Sequence, residues 1–415
     1  MDNNRIHLTK IRQHFSRNTL PDVQGEVSAE LRKLDQDIKP GSKIAIAVGS
    51  RGIRNLAAVV RIVAEFIRSK DAFPFIIPAM GSHGDANAAG QAEILAGYGI
   101  SEKALGIPVK SSMEVIELPK GDSIVPLYMD RNAWESDGVI LINRIKPHTD
   151  YHGRYESGLV KMSVIGLGKE KQASAIHRYG VYGLASLIPV AAREILAARK
   201  ILGGIALIEN GYDETMLVKV LKHEEFLEKE PELLETARKN MPSLPFNDVD
   251  VLIIDQMGKD ISGVGIDTNI IGRIRIAGQE EPEKPAVKAI MVSDLTEASH
   301  GNAIGAGLAD VITKKLYDRI DFSSTYINGI TSSFLERIKI PVVARNDKDG
   351  FDIALRSCGY IRENEEKIIR IKDTLHLDEL YVSYPVLNII RSSERIEILN
   401  APADLFSMDG DLTPF

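Results

Sequence analysis

The chain has 415 residues, 44% of them hydrophobic and 26% charged, with a formal net charge of -7. That length exceeds one ordinary hydrophobic core, the composition is that of a soluble globular protein, and the acidic balance argues against a general binder of nucleic acid or membrane surfaces. The single cysteine, Cys358, excludes an intramolecular disulfide framework and any thiolate zinc or iron–sulfur site, so a protein-held metal would rest on histidine or carboxylate.

The first residues, MDNNRIHLTKIRQHF, read as a polar arm without the continuous apolar core of a signal peptide. The run KIAIAV, residues 43–48, reads as a short buried strand that ends in the loop GSRGIRN, 49–55. Leu56, Val59, Val60, Val63, Phe66 and Ile67 then recur at three- and four-residue steps, which predicts a helix with one apolar face. The loop's glycines could bring backbone N–H groups to an anion, with Arg51 and Arg54 adding charge. It matches no Walker or Rossmann fingerprint, and an ordinary turn with solvated arginines fits equally well.

A second strand over 73–79 delivers GSHGD, in which glycines flank His83, and a helix over 86–98 follows. The β-branched run GVILIN, 138–143, reads as a third buried strand, stopped by Pro147. His148 thus leaves the carboxyl end of a strand, as His83 does, and in α/β sheets ligands bind beyond those ends.

The stretch 143–177, NRIKPHTDYHGRYESGLVKMSVIGLGKEKQASAIH, concentrates the chain's chemistry. It holds His148, His152 and His177, with Lys161 between them and a glycine-bearing turn at Gly166 and Gly168. Imidazole exchanges protons near neutral pH or ligates metals, and a lysine whose ammonium is disfavoured becomes a nucleophile. A cofactor or metal site follows from that combination; the plainer alternative is a polar loop whose histidines cap backbone groups.

Beyond it, residues 183–200 read as a helix, 204–209 as a strand and 224–239 as a charged surface helix. Arg193, Glu194, Arg199 and Lys200 interrupt the apolar region 183–208, against a simple membrane span, and a cytoplasmic chain is expected. The prolines of MPSLPFND, 241–248, suggest a linker, giving expected domains 1–245 and 246–415. DVLIID, 250–255, starts a new strand that leads into GKDISGVGID, where Lys259, Asp260 and Asp267 bind a substrate or simply shape the loop. A strand over 286–293, the glycine-rich HGNAIGAGLAD, 300–310, a β-like KIPVVA, 339–344, and a polar helix over 363–374 complete the reading. Alternating strands and helices in both halves predict an α/β protein: two domains with mainly parallel sheets flanked by helices, and an active site in the interdomain cleft.

GSRGIR near the first strand, GSH at His83, PH at His148, SGLVK ending at Lys161 and, sixteen residues on, His177 together resemble the nickel-dependent lactate racemase family. The order of these short motifs is the specific part of the resemblance, which runs from about residue 43 to residue 177. A fainter echo lies at 258–260. The resemblance implies racemisation or epimerisation of a 2-hydroxy acid by hydride transfer to and from a nickel-pincer nucleotide. Lys161 would be the thioamide attachment point and His177 the nickel ligand, with Ser50, Gly166 and Gly168 around the cofactor. His83 and His148 would be the paired proton acceptors, and Arg54, Arg51, His152 and Lys259 the substrate contacts.

Three departures accompany it. Arg51 stands where the lactate-specific pattern has an acid; the His148–Lys161 interval is longer than usual, so that His152 competes as second base; and Gly265 and Thr268 replace a glutamine and a lysine. These point from lactate toward a larger or more anionic hydroxy acid. Expected partners are that small molecule and the cofactor-biosynthesis proteins, without which an expressed chain would be apoprotein; no nucleic acid or membrane is expected, and a homo-oligomer is left open. Two other classes fit the residues: a hydratase, dehydratase or hydrolase whose histidines ligate a divalent metal directly, and a non-catalytic protein that closes over a small anion.

Overall fold

The computed structural model describes residues 6–50 and 52–415. It divides into two compact units, Ser16–Met241 and Pro242–Phe415, and the described residues up to Phe15 belong with the second. The division between the units thus falls at 241/242 rather than 245/246.

Among the described residues, Ser16–Met241 carries a five-stranded sheet in the order Phe73–Pro78, Lys43–Val48, Gly138–Arg144, Ile201–Glu209, Thr215–Lys222. The first four strands are parallel and the last returns antiparallel. Ile44, Ile46, Val48, Ile140 and Ile142 pack into one core with Leu56, Val59, Val60 and Val63 of helix Leu56–Arg68. Their strand neighbours Ala45, Ala47, Val139 and Leu141 pack into another with Ile188, Ala191, Ala192 and Ile195 of helix Ile188–Ala197. Burial on both faces explains why these strands are continuous apolar runs and not alternating ones. Each valine, leucine or isoleucine among them contributes roughly 1.5–3 kcal/mol when removed from water.

By length and composition alone, Gly180–Ala197 is apolar enough to cross a membrane, with a mean hydropathy of 1.3. Its Leu184, Leu187, Ile188, Ala192 and Ile195 are buried in the second core, so this apolar face has its partner inside the unit.

Sheet order also sets where the loops diverge. From Lys43–Val48 the chain moves to the neighbouring strand on one side, then crosses to Gly138–Arg144 on the other. Loops leaving the carboxyl ends at such a switch point diverge and open a crevice, and here the described residues of those loops are 49–50, 52–55 and 145–148.

The other unit holds, among the described residues, a nine-stranded sheet. Val342–Ala344, Val311–Thr313, Ala286–Leu295, Asp248–Met257 and Ile368–Ile371 are parallel. Glu379–Val382, His7–Gln13 and Ile396–Ile398 continue it antiparallel. Two expectations are corrected here. The polar arm contains the strand His7–Gln13, in which Leu8, Ile11 and Gln13 turn inward. The expected helix over 363–374 is the buried strand Ile368–Ile371. Its Arg370 is buried because Nε and Nη2 donate to both oxygens of Asp255, at 2.8 and 2.7 Å, and Nη2 also reaches the Thr413 carbonyl at 2.6 Å.

Candidate active site

Lys161 closes the short helix Leu159–Lys161 and enters a wider turn, Met162–Gly166, in which Leu167 N–H reaches back five residues to the Met162 carbonyl. Helix Lys169–His177 follows. Lys161 Nζ meets His148 Nε2. On the other side of that ring, Asp150 N–H donates to Nδ1 at 3.0 Å. The buried Tyr151 ring lies 4.8 Å from the His148 ring, and Lys161 Nζ lies 5.7 Å from the Tyr151 ring centroid. His177 is half-buried; burial, reinforced by the Lys161 charge and opposed by Asp150, holds its pKa below the ordinary imidazole value. It is therefore a neutral ring near pH 7, with a lone pair for a proton or a metal.

Glu156 organises the loop that bears His148. Its carboxylate has 0% side-chain exposure and accepts His148 N–H at 2.5 Å, Gly153 N–H at 3.1 Å and the Arg238 guanidinium, with His152 Nδ1 at 3.4 Å. Burial pushes its pKa up, but the bonds from His152 and His148, the Arg238 charge and the Gly153 bond outweigh that and hold it below the usual carboxylate range. An ionised carboxylate thus ties both histidine-bearing turns together, and His152, whose side chain is 39% exposed, is engaged by Glu156.

The helix Phe226–Asn240, expected as a charged surface element, supplies the supports for this loop. Pro231 has no N–H to give the Leu227 carbonyl, and the Tyr155 hydroxyl donates to that carbonyl at 2.6 Å instead. Glu230 Oε2 accepts Val160 N–H at 2.9 Å. Arg238 Nη2 donates to the Gly153 carbonyl at 3.2 Å besides pairing with Glu156.

His83 lies exposed on the loop after Phe73–Pro78. Gln91 Nε2 donates to the carbonyls of Gly81 at 2.9 Å and His83 at 3.2 Å, and Gln91 Oε1 accepts Lys169 Nζ at 3.2 Å. Lys169 is fully buried, paired with Asp130 at 3.0 Å and donating to the Pro78 carbonyl. Burial lowers its pKa and Asp130 opposes that shift. The same loop meets the Lys161 segment where Gly81 N–H reaches the Gly166 carbonyl at 3.4 Å. A Cβ on Gly166 would lie 2.7 Å from the Ala79 carbonyl oxygen, and one on Gly168 2.3 Å from Gln172 Cβ, so close packing accounts for both glycines.

Arg54 N–H donates to Glu209 Oε1 at 2.6 Å, and Glu209 also pairs with Arg144 at the end of the central strand. The Arg54 side chain is exposed and its guanidinium has no hydrogen bond or ion pair among the described residues. The Ser50 carbonyl accepts the Tyr98 hydroxyl at 2.9 Å. Arg51 lies outside the described residues. Lys259 belongs to the other unit, after strand Asp248–Met257, with its N–H on Ser299 Oγ at 2.9 Å.

His148, Lys161 and His177 therefore gather in one unit, with His152 linked through Glu156 and the His83 loop through Gly166. Sequence reasoning missed Glu156, Tyr151 and Asp150, although all three lie within the stretch it singled out. It also missed Lys169, Glu230 and Arg238, whose roles arise from pairings far along the chain. Among the described residues, no group of three His, Cys, Asp or Glu side chains could hold a metal ion.

No protein-family model and no curated protein matches the chain. Among solved structures it is similar to the lactate racemase apoprotein from Thermoanaerobacterium thermosaccharolyticum, with a TM-score of 0.52 over 90% of this chain and 95% of that one, at 12% identity. At that identity the likeness is one of fold: mixed α/β, with mainly parallel sheets flanked by helices.

Proposed function

We propose that the chain is an isomerase that racemises or epimerises a 2-hydroxy acid with the aid of a nickel-pincer nucleotide. The observation that carries the proposal is the meeting of Lys161 with His148, close to a neutral His177, beyond the carboxyl ends of parallel strands. The likeness of fold to a lactate racemase apoprotein supports it.

The residues fit such a group. Lys161 offers an amine for a thioamide link, and His177 offers one imidazole donor. A nickel that arrives with ligands of its own needs no further protein donors, which suits a chain without a three-residue ligand cluster among its described residues. Ser50, Gly166 and Gly168 would border the nucleotide. When bound, the cofactor would supply a hydride acceptor for the substrate's C2.

The chain's own residues would handle the proton and the charge. His148 receives the hydroxyl proton at Nε2, the ring atom that meets Lys161, while the Asp150 N–H on Nδ1 fixes the ring's orientation. His152, whose Nδ1 lies 3.4 Å from Glu156, is the alternative to His148 as this base. His83 serves the opposite face, and the exposed Arg54 guanidinium pairs with the carboxylate. His152 would contact the remainder of a substrate larger or more anionic than lactate.

The test is to co-produce the chain with cofactor-biosynthesis proteins and incubate it with single enantiomers of a panel of 2-hydroxy acids, followed by chiral chromatography. Appearance of the opposite configuration at C2 is the expected result. No interconversion of any member, while a control racemase prepared alongside is active, contradicts the proposal.

A further inference from the structure

Glu230 lies 69 positions beyond Lys161 in the chain and is 1% exposed. Its carboxyl accepts the Val160 N–H at 2.9 Å. That amide belongs to the first turn of the helix that opens at Leu159, where no acceptor exists within the helix. Oε1 is buried with no hydrogen-bond partner among the described residues. A Cβ on Gly158 would lie 2.4 Å from Oε1, so the carboxyl is seated against a bare Cα and a larger residue there would displace it.

We propose that Glu230 is a positioning residue for Lys161, holding the Leu159–Lys161 turn in place by accepting the otherwise unmatched Val160 amide. The inference rests on the reading of Lys161 as the nucleophile and attachment point. Burial without a cation raises the carboxyl pKa to about 7, so near neutrality much of it is the uncharged acid. An uncharged acid accepts through one oxygen and carries a hydroxyl on the other. Glutamine reproduces that arrangement, and leucine removes it while filling similar space.

The experiment uses the full chain without cofactor and compares wild type, Glu230→Gln and Glu230→Leu at pH 7. Residue-resolved hydrogen exchange reads the Val160 amide against the Met162 amide, which bonds to the Gly158 carbonyl at 3.1 Å. Acetylation by acetic anhydride, mapped by peptide mass spectrometry, reads Lys161 against the exposed Lys39. Glu230→Leu should speed Val160 exchange roughly tenfold more than Met162 exchange, as expected for loss of a buried hydrogen bond. It should also change the Lys161-to-Lys39 labelling ratio at least about threefold, whereas Glu230→Gln should keep both readouts within about twofold of wild type.

A Val160 amide that exchanges at the free-peptide rate in the wild-type chain overturns the inference without recourse to any variant. So does a leucine variant with unchanged readouts, or a glutamine variant that behaves like the leucine one. None of these readouts requires cofactor or turnover, so failure here and failure of the proposed activity are distinguishable.

Discussion

Glu230 is expected to make the Ser16–Met241 unit lose stability as pH rises. Its ordinary value is 4.5, and beneath the Leu159 turn burial raises it to about 7. Between those values the folded chain holds a proton that the unfolded chain has released. The stability it contributes is full below pH 4.5 and lost as pH climbs through 7. The difference, about 7 minus 4.5, is about 2.5 pH units, which at 1.36 kcal/mol per unit comes to roughly 3 kcal/mol. Glu230→Gln keeps the acceptor and removes the titration. Relative to wild type it should gain about 3 kcal/mol at pH 8 and almost nothing at pH 4.5.

Neighbouring groups leave that difference intact. Burial pushes the Tyr151 and Tyr155 hydroxyls above their ordinary range, out of this window. His177 runs the other way, since a depressed imidazole adds stability as pH rises toward 6.5, but it is common to both chains and cancels. The assay is urea unfolding between pH 4.5 and 8, followed by Trp134, the single tryptophan, which packs against the core of this unit. Parallel pH profiles, offset by a constant within about 0.5 kcal/mol, would refute the reasoning.

Three further outcomes are expected. Lys169→Met leaves Asp130 buried and unpaired and should cost about 3–5 kcal/mol in the same unfolding assay, with Lys169→Met/Asp130→Asn costing less than the sum of the single changes. His83→Gln or His148→Gln should lower turnover by roughly 10²–10⁴-fold while the mass of the cofactor-loaded chain persists; loss of loading would contradict their assignment as proton acceptors. Arg54→Gln should raise KM for the hydroxy acid about tenfold or more, the loss of a charge-assisted bond to a carboxylate, and an unchanged KM would remove Arg54 from the substrate site.

What was legible in the sequence follows from range. KIAIAV and GVILIN announce strands because both of their faces are buried, and the helix after Asn55 announces itself through a regular apolar stripe. His148, Lys161 and His177 could be grouped because they lie within one short stretch. Illegible features depend on distant pairing. The strand His7–Gln13 finds its partner at Glu379–Val382, and Arg370 reads as polar and helical until Asp255 neutralises it inside a sheet. The helix Phe226–Asn240 is rich in charge and looks solvated, yet Glu230 reaches the Val160 amide and Arg238 reaches Glu156. Pro231 was a visible signal there, since a proline inside a helix frees a carbonyl that some other donor must satisfy.

The central claim is that Lys161 and His177 hold a nickel-bearing nucleotide. Its most direct test is intact mass together with nickel analysis on the chain co-produced with the cofactor-biosynthesis proteins, set beside Lys161→Ala. The account predicts a covalent nucleotide adduct and bound nickel in the natural chain, both lost in the variant. A natural chain that carries neither, while a control racemase is loaded in the same cells, would contradict it.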